Sequence, residues 1–101
     1  MQMRSRGPIM ATVGVIIKVV PGSPDADFDK ISEECSKLIK AFAETERVDV
    51  KLEPLAFGLK EIKLLFLMEE EKGDLEPLED QMKKIEGVQN AETIDVRRTI
   101  G

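Results

Sequence analysis

The sequence predicts an α+β fold in two layers, with two helices on one face of a four-stranded antiparallel sheet. Three observations lead to this prediction. Four segments carry apolar residues at every second position, as strands do, and two carry them at every third and fourth position, as helices do. The six segments follow one another in the order βαββαβ. Most of the breaks between them contain glycine or proline, which interrupt both kinds of element.

The first strand is predicted over residues 12–20, where β-branched side chains recur at every second position. Its inward face consists of Val13, Val15, Ile17 and Val19. A Pro-Gly-Ser-Pro segment ends the strand, and Ser23 is predicted to cap a helix that runs to about Glu44. The apolar stripe of this helix consists of Phe28, Ile31, Cys35, Leu38 and Phe42.

The second and third strands are predicted over 48–53 and 59–68, joined by a turn that contains proline and glycine. The inward face of the third strand consists of Ile62, Leu64, Phe66 and Met68. A second helix is predicted over 75–85 and ends before Gly87. The last strand is predicted over 88–98, and its inward face consists of Ile94 and Val96.

The order βαββαβ commonly folds as a ferredoxin-like sandwich. We expect right-handed crossovers to place the first and third strands side by side and parallel. The second and fourth strands would then end at the same end of the sheet. In that arrangement the turn of Phe57 and Gly58 becomes a neighbour of Arg97 and Arg98.

Composition excludes several classes of function. The chain has 101 residues, a net charge of −5, no Trp and no Tyr, so it lacks the basic surface and aromatic platforms that nucleic-acid binding requires. It has no His, and its one cysteine, Cys35, is expected to be a buried hydrophobe. The acidic stretch 69–80 lacks the pattern of a calcium loop and is expected to be solvated. We therefore expect no enzyme, no metal site and no cofactor.

We expect residues 10–101 to form one domain, preceded by an N-terminal extension at residues 1–9, because Met10 is a second candidate start. Arginines ahead of an apolar run also occur in signal peptides. Here Lys18 interrupts the run, which is too short to span a membrane. We expect a cytoplasmic protein without a membrane partner.

Three other functions that use this fold are excluded by the sequence. The Pro-Gly-Ser-Pro loop after the first strand contains neither the arginine of an acylphosphatase-like site nor the Cys-x-x-Cys of a metallochaperone. The outward positions of the first and third strands carry no aromatic residue, unlike those of an RNA-recognition domain. Function must therefore be argued from particular residues rather than from the fold.

Phe57 and the two arginines are the remaining candidates. A phenylalanine in a turn between Ala56 and Gly58 either folds back over the open end of the core or anchors an interface, and the residues alone leave both interpretations open. Arg97 and Arg98 would by default be a solvated cap. Their expected position beside the turn favours a binding edge.

The segment 54–62, Pro-Leu-Ala-Phe-Gly-Leu-Lys-Glu-Ile, resembles the Pro-x-x-Phe-Gly-Ile-Lys-Lys-Leu signature of the elongation factor 1-beta family. The acidic loop 69–72 and Val88-Gln89 are similar to that family at the corresponding places. The similarity covers residues 10–98 and is greatest to the short archaeal form.

This resemblance implies a partner, the GTPase elongation factor 1-alpha, from which the family releases GDP so that GTP can replace it. It implies that Phe57 enters a hydrophobic pocket of the GTPase. It also implies that Arg98 stands where the family has a near-terminal lysine directed at the Mg²⁺ site, although here the residue is arginine and the chain continues beyond it. The expected partner-binding residues are Phe57, Gly58, Lys60, Lys63, Arg97 and Arg98.

The alternative is a ferredoxin-like ligand-sensing or oligomerising module. Its basis is the half-apolar outward face of the sheet, formed by Ile16, Leu65 and Leu67. Such a face could pair weakly with a second copy of the chain.

Overall fold

The computed structural model describes residues 12–98, and the extension expected at residues 1–9 lies outside them. The predicted α+β sandwich is confirmed: four antiparallel strands form one sheet in the order β2-β3-β1-β4, with two helices. The elements are β1 Thr12–Pro21, α1 Phe28–Ala43, β2 Asp49–Pro54, β3 Lys60–Glu69, α2 Glu76–Lys83 and β4 Val88–Arg98. A tight turn lies at Ala56–Gly58, and a short 3-10 turn lies at Glu70–Lys72.

The core lies between the helices and one face of the sheet, here called the helix face. The predicted inward residues of β1 and β3 are all buried, because both strands are central and the helices cover them. The helices add residues at spacings of four: Ile31, Cys35, Ile39 and Ala43 from α1, Leu78 and Met82 from α2. The phenylalanines predicted for the α1 stripe flank this row and are only partly buried.

The start of α1 differs from the prediction. The helix begins at Phe28, and its cap is Asp27, whose Oδ1 accepts a hydrogen bond of 3.1 Å from the Lys30 N–H. The Ser23 hydroxyl instead accepts a bond of 3.1 Å from the Asp25 N–H. The residues between β1 and α1 therefore form a turn of their own rather than the first turn of the helix.

The expected parallel pairing of the first and third strands is wrong: β1 and β3 are antiparallel neighbours. A right-handed crossover makes the two strands that it joins parallel, here β1 with β2 and β3 with β4. The hairpin reverses direction between β2 and β3. Since β3 lies between β1 and β2, it must run against both of its neighbours.

This correction separates two predicted site segments. The turn after β2 lies at the end of the sheet where β1 ends, whereas Arg98 lies opposite Val13, near the start of β1. Eight residue steps along β3 separate the levels of Lys60 and Met68, so the turn and Arg98 are about 30 Å apart. We call these ends the Phe57 end and the Arg98 end. The prediction that they are neighbours is wrong.

The sheet face away from the helices, here called the open face, carries the alternate residues of each strand. Its centre consists of Gly14, Ile16, Lys18, Lys63, Leu65 and Leu67. In β4, Asp95 lies opposite Ile16 but Thr93 lies opposite Ile17, so Ile94 is an extra residue in a bulge. Ile94 is therefore half-exposed and not the inward residue that alternation predicts.

Candidate partner-binding residues

Phe57 projects from a tight turn into solvent, with 94% of its surface exposed. Its backbone is left-handed, with φ 64° and ψ 30°, and that of Gly58 follows with φ 75°. The Leu59 N–H donates to the Ala56 carbonyl at 3.3 Å, and the Leu55 N–H donates to the Leu59 carbonyl at 2.7 Å. Two successive positive φ values closed by such a bond define a turn of type I′.

Phe57 occupies a position of this turn whose left-handed backbone conformation is unfavourable for a bulky side chain. Type I′ turns need positive φ at both central residues and favour Asn-Gly, whereas bulky side chains strain the left-handed conformation. Gly58 fits its position, but Phe57 does not. Because its ring is almost fully exposed, no burial in the core offsets the strain. The interpretation in which Phe57 folds back over the core is therefore wrong.

Two further apolar residues flank this ring. Leu55 and Leu59 are both partly exposed, so the turn carries three apolar side chains at alternate positions. Neither leucine was among the residues predicted for the site. The spacing 55, 57, 59 could have identified them, since residues around a hairpin turn lie close together.

The two predicted lysines lie on different faces of the sheet. Lys60 lies toward the helices, where its Nζ is 5.6 Å from the centroid of the Phe28 ring, within the range of a cation–π contact. Lys63 lies on the open face and pairs with Glu53 at 2.8 Å. This hydrogen bond lowers the pKa of Glu53 and raises the pKa of Lys63. Lys60 belongs to the Phe57 end, and Lys63 to the middle of the sheet.

The two arginines of β4 also diverge, because successive residues of a strand project to opposite faces. Arg97 lies on the open face, mostly exposed, with its Nε 3.0 Å from Asp95 Oδ2. Arg98 donates from Nε and Nη2 to Glu70 Oε2, at 3.3 Å and 2.8 Å. Glu70, in the acidic loop after β3, was not among the predicted site residues. Its pairing depends on the antiparallel register and is not visible in the sequence.

Five of the six predicted residues form two groups rather than one edge, and Lys63 lies between these groups on the open face. Phe57, Gly58 and Lys60 share the Phe57 end, and Arg97 and Arg98 share the other. Both groups are exposed. The backbone beneath them is held by the hydrogen bonds of the turn in one group and by the pairing of β4 with β1 in the other. The arrangement suits recognition of a protein surface, since it combines an apolar projection with exposed cations.

The remaining candidate features point to structure rather than chemistry. Cys35 is fully buried, and burial, with a smaller contribution from Glu34, raises the pKa of its thiol to about 12. Residues 12–98 contain no group of three or more His, Cys, Asp or Glu side chains arranged for a metal ion. Neither described helix is both long enough and apolar enough to cross a membrane.

Comparison with known proteins identifies the class. Residues 14–99 match the EF-1 guanine nucleotide exchange domain. Three archaeal relatives are each named elongation factor 1-beta. That of Methanosarcina barkeri is 36% identical over 88% of this chain and 99% of the relative. Those of Methanothermobacter thermautotrophicus and Staphylothermus marinus are 37% and 38% identical over 88% of this chain and 98% of each relative.

The chain therefore belongs to the elongation factor 1-beta family, whose members are translation factors that exchange guanine nucleotides. The resemblance seen in the sequence is confirmed.

Proposed function

We propose that this chain releases GDP from elongation factor 1-alpha so that GTP can bind, and that Phe57 is its main anchor on the GTPase. One observation carries the proposal: a large apolar ring is held almost fully exposed in a strained backbone conformation. Strain of this kind persists where function requires a fixed geometry. Because the backbone of the turn is already fixed, the ring loses only side-chain freedom when it enters a hydrophobic pocket, which limits the entropy cost of binding.

The mechanism follows from differential binding. An exchange factor must bind the nucleotide-free GTPase more tightly than the GDP-bound form, since otherwise it shifts no equilibrium. In this proposal, Phe57 with Leu55 and Leu59 occupies a pocket that is accessible only when a segment of the GTPase is displaced. Lys60 and Gly58 support the turn from the same end. No covalent bond is made or broken, so neither a nucleophile nor a general base is needed.

Arg98, with Arg97 beside it, is proposed as a second contact. A cation close to the bound Mg²⁺ repels the metal ion and so lowers the affinity of the GTPase for it. The guanidinium is broader than an ammonium, so it suits a carboxylate or phosphate beside the metal better than the metal site itself. To reach such a ligand, Arg98 must leave Glu70. Because the two groups lie about 30 Å apart, the GTPase would have to extend along the sheet to meet both.

The test is the release of a fluorescent GDP from elongation factor 1-alpha, measured by stopped flow with and without the protein. We expect the chain to accelerate release, and Phe57→Ala to lose most of this effect while its thermal transition stays unchanged. Lys37→Ala, near the middle of α1, is the matched control, since it removes an exposed side chain of the helix layer that belongs to neither group. No acceleration by the parent protein would refute the function. Full acceleration by the Phe57 variant would refute only the anchor. We place the activity in the cytoplasm.

A further inference from the structure

The sheet has a regular free edge at β2, and the proposed exchange mechanism uses only the turn that follows this strand. The two edge strands of the sheet are β2 and β4. The pairing of β4 with β1 is interrupted by two irregularities in register, and bulges of this kind hinder the addition of another strand. The pairing of β2 with β3 runs without a shift from Asp49 to Pro54. Of the two edges, β2 is therefore the one that suits a further strand.

The outer side of β2 carries backbone groups that point away from the sheet. The Leu55 N–H donates to the Leu59 carbonyl, so these two residues form a hydrogen-bonded pair at the end of the ladder. Hydrogen-bonded and non-hydrogen-bonded pairs alternate along an antiparallel ladder, so the backbone groups of Pro54, Leu52 and Val50 point away from β3. Proline suits such a position, because it has no N–H to direct into solvent. Val50 and Leu52 each direct one N–H and one carbonyl outward.

The side chains of the same two residues are apolar and half-exposed. Val50 and Leu52 lie on the helix face, yet 42% and 44% of their surfaces are exposed. Their partners on β3, Leu64 and Ile62, are fully buried. The helices therefore cover the sheet as far as β3 and leave much of the apolar side of β2 accessible. A strand added beside β2 would cover these side chains and pair the outward backbone groups at the same time.

The other side of β2 is charged, and the strand leads directly into the turn that carries the proposed anchor. Its open-face residues are Asp49, Lys51 and Glu53. Both acidic residues have partners, Asp49 with Arg47 at 3.4 Å and Glu53 with Lys63 at 2.8 Å. Within the part of the chain that the structure describes, Lys51 forms no ion pair. A segment that pairs with this edge is therefore favoured if it brings an acidic residue to Lys51.

We propose, on the basis of the proposed function, that β2 accepts an extended segment of elongation factor 1-alpha as a fifth strand of the sheet, beside the Phe57 anchor. The segment carries apolar side chains against Val50 and Leu52, and on its opposite face an acidic side chain against Lys51. Main-chain hydrogen bonds to the edge supply affinity, and the alternating side chains supply specificity. β2 has six residues and spans about 20 Å, which sets the length of the added strand.

Strand addition gives the exchange factor a means of discriminating between states of the GTPase. A segment that is folded into the GDP-bound form is not available to the edge, whereas the same segment pairs with β2 once it is displaced. The edge then binds the nucleotide-free form more tightly than the GDP-bound form, which is the condition for exchange. Pairing also holds the displaced segment in place while Phe57 occupies the pocket.

Amide hydrogen exchange tests the pairing directly. Exchange at single residues is measured by NMR for the free protein and for its complex with nucleotide-free elongation factor 1-alpha. The N–H groups of Val50 and Leu52 should exchange rapidly in the free protein and at least about tenfold more slowly in the complex. The N–H groups of Lys51 and Glu53 point toward β3 and should be protected in both, so they are the internal control.

A matched pair of variants at Leu52 tests the backbone contribution. Leu52→Pro removes the outward N–H and leaves the ladder with β3 intact, whereas Leu52→Ala removes the same side chain and keeps that N–H. Leu52→Pro should bind the nucleotide-free GTPase at least about tenfold more weakly than Leu52→Ala. Thermal unfolding establishes that each variant folds.

A second pair of variants tests the charge. Lys51→Glu should weaken binding to the nucleotide-free GTPase by at least about tenfold, because it opposes an acidic residue of the added strand. Lys18→Glu is the matched control, since it makes the same change of charge on the open face of β1, away from the edge. This control should bind like the parent protein.

The proposal is overturned if the parent protein accelerates GDP release while the Val50 and Leu52 amides exchange in the complex as fast as in the free protein. It is also overturned if Leu52→Pro binds as tightly as Leu52→Ala, or Lys51→Glu as tightly as Lys18→Glu. If Leu52→Pro does not fold, the charge pair and the amides of the parent protein decide. A parent protein that neither binds the GTPase nor accelerates release refutes the proposed function itself, and with it the partner assigned to this edge.

Discussion

Replacement of Phe57 by asparagine is expected to stabilise the fold and to disable exchange in the same variant. Asparagine tolerates the left-handed conformation, and Asn-Gly is the preferred pair at the centre of a type I′ turn. The variant would therefore keep the turn and its hydrogen bonds while it removes the ring. A residue whose loss improves stability but impairs activity is present for binding and not for folding.

The structure sets the magnitude of both effects. A non-glycine residue in the left-handed region costs about 1–2 kcal/mol, most of which asparagine avoids. Because 94% of the Phe57 surface is exposed, its removal sacrifices little burial. A gain of about 1 kcal/mol raises Tm by roughly 4–8 °C in a domain of this size. Loss of an interface anchor costs about 2–4 kcal/mol, which weakens binding to the GTPase by roughly 30- to 700-fold.

Two measurements check this prediction. Thermal unfolding followed by circular dichroism gives Tm, and stopped-flow release of fluorescent GDP at subsaturating protein gives the exchange rate. Phe57→Ala is the companion variant, because alanine also lacks the ring but retains the strained conformation. Its exchange rate should fall as far as that of Phe57→Asn, with a Tm close to that of the parent.

Either measurement can refute the reasoning. A lower Tm for Phe57→Asn would mean that the ring contributes packing which its exposure does not suggest. A parental exchange rate for both variants would mean that the GTPase does not use Phe57. A loss of exchange in Phe57→Ala that Phe57→Asn does not share would assign the effect to turn geometry rather than to the ring.

Further predictions concern the other end of the sheet, the core and the turn. Arg98→Ala should slow catalysed GDP release more than it weakens complex formation, and this difference should shrink when a chelator removes Mg²⁺. Glu70→Gln, which removes the negative charge that holds Arg98, should speed release. Equal release rates for the parent and both variants at saturation would contradict both expectations. The thiol of Cys35 has a folded pKa of about 12 against 9.0 for the free group, so its contribution to stability is complete below pH 9 and is lost as pH rises toward 12. Urea unfolding at pH 10 should show a loss of about 1.4 kcal/mol relative to pH 8 that Cys35→Ala does not show, and identical pH profiles would contradict the burial of the thiol. Gly58→Ala should lower Tm although nothing lies within 4 Å of the added carbon, because its φ of 75° strains any side chain, and an unchanged Tm would contradict the turn type.

The elements of the fold could be predicted because their periodicities reflect burial directly. β1 shows this most clearly: a central strand covered by helices buries every second residue without exception. Periodicity failed where the backbone departs from regular geometry. Ile94 continues the alternation in the sequence, but the bulge in β4 displaces it from the inward row. Nothing in the residues around position 94 specifies a bulge, which inserts one unpaired residue and shifts the alternation of β4 from that point on.

The error in strand direction has a different origin, because the required information was present in the connectivity. Chirality rules fix the relative direction of strands joined by a crossover, and β1 and β3 are not so joined. The strain at Phe57, in contrast, could not be predicted. An Ala-Phe-Gly segment indicates a turn but not which residues take positive φ, since only closure of the hairpin between Leu55 and Leu59 determines that.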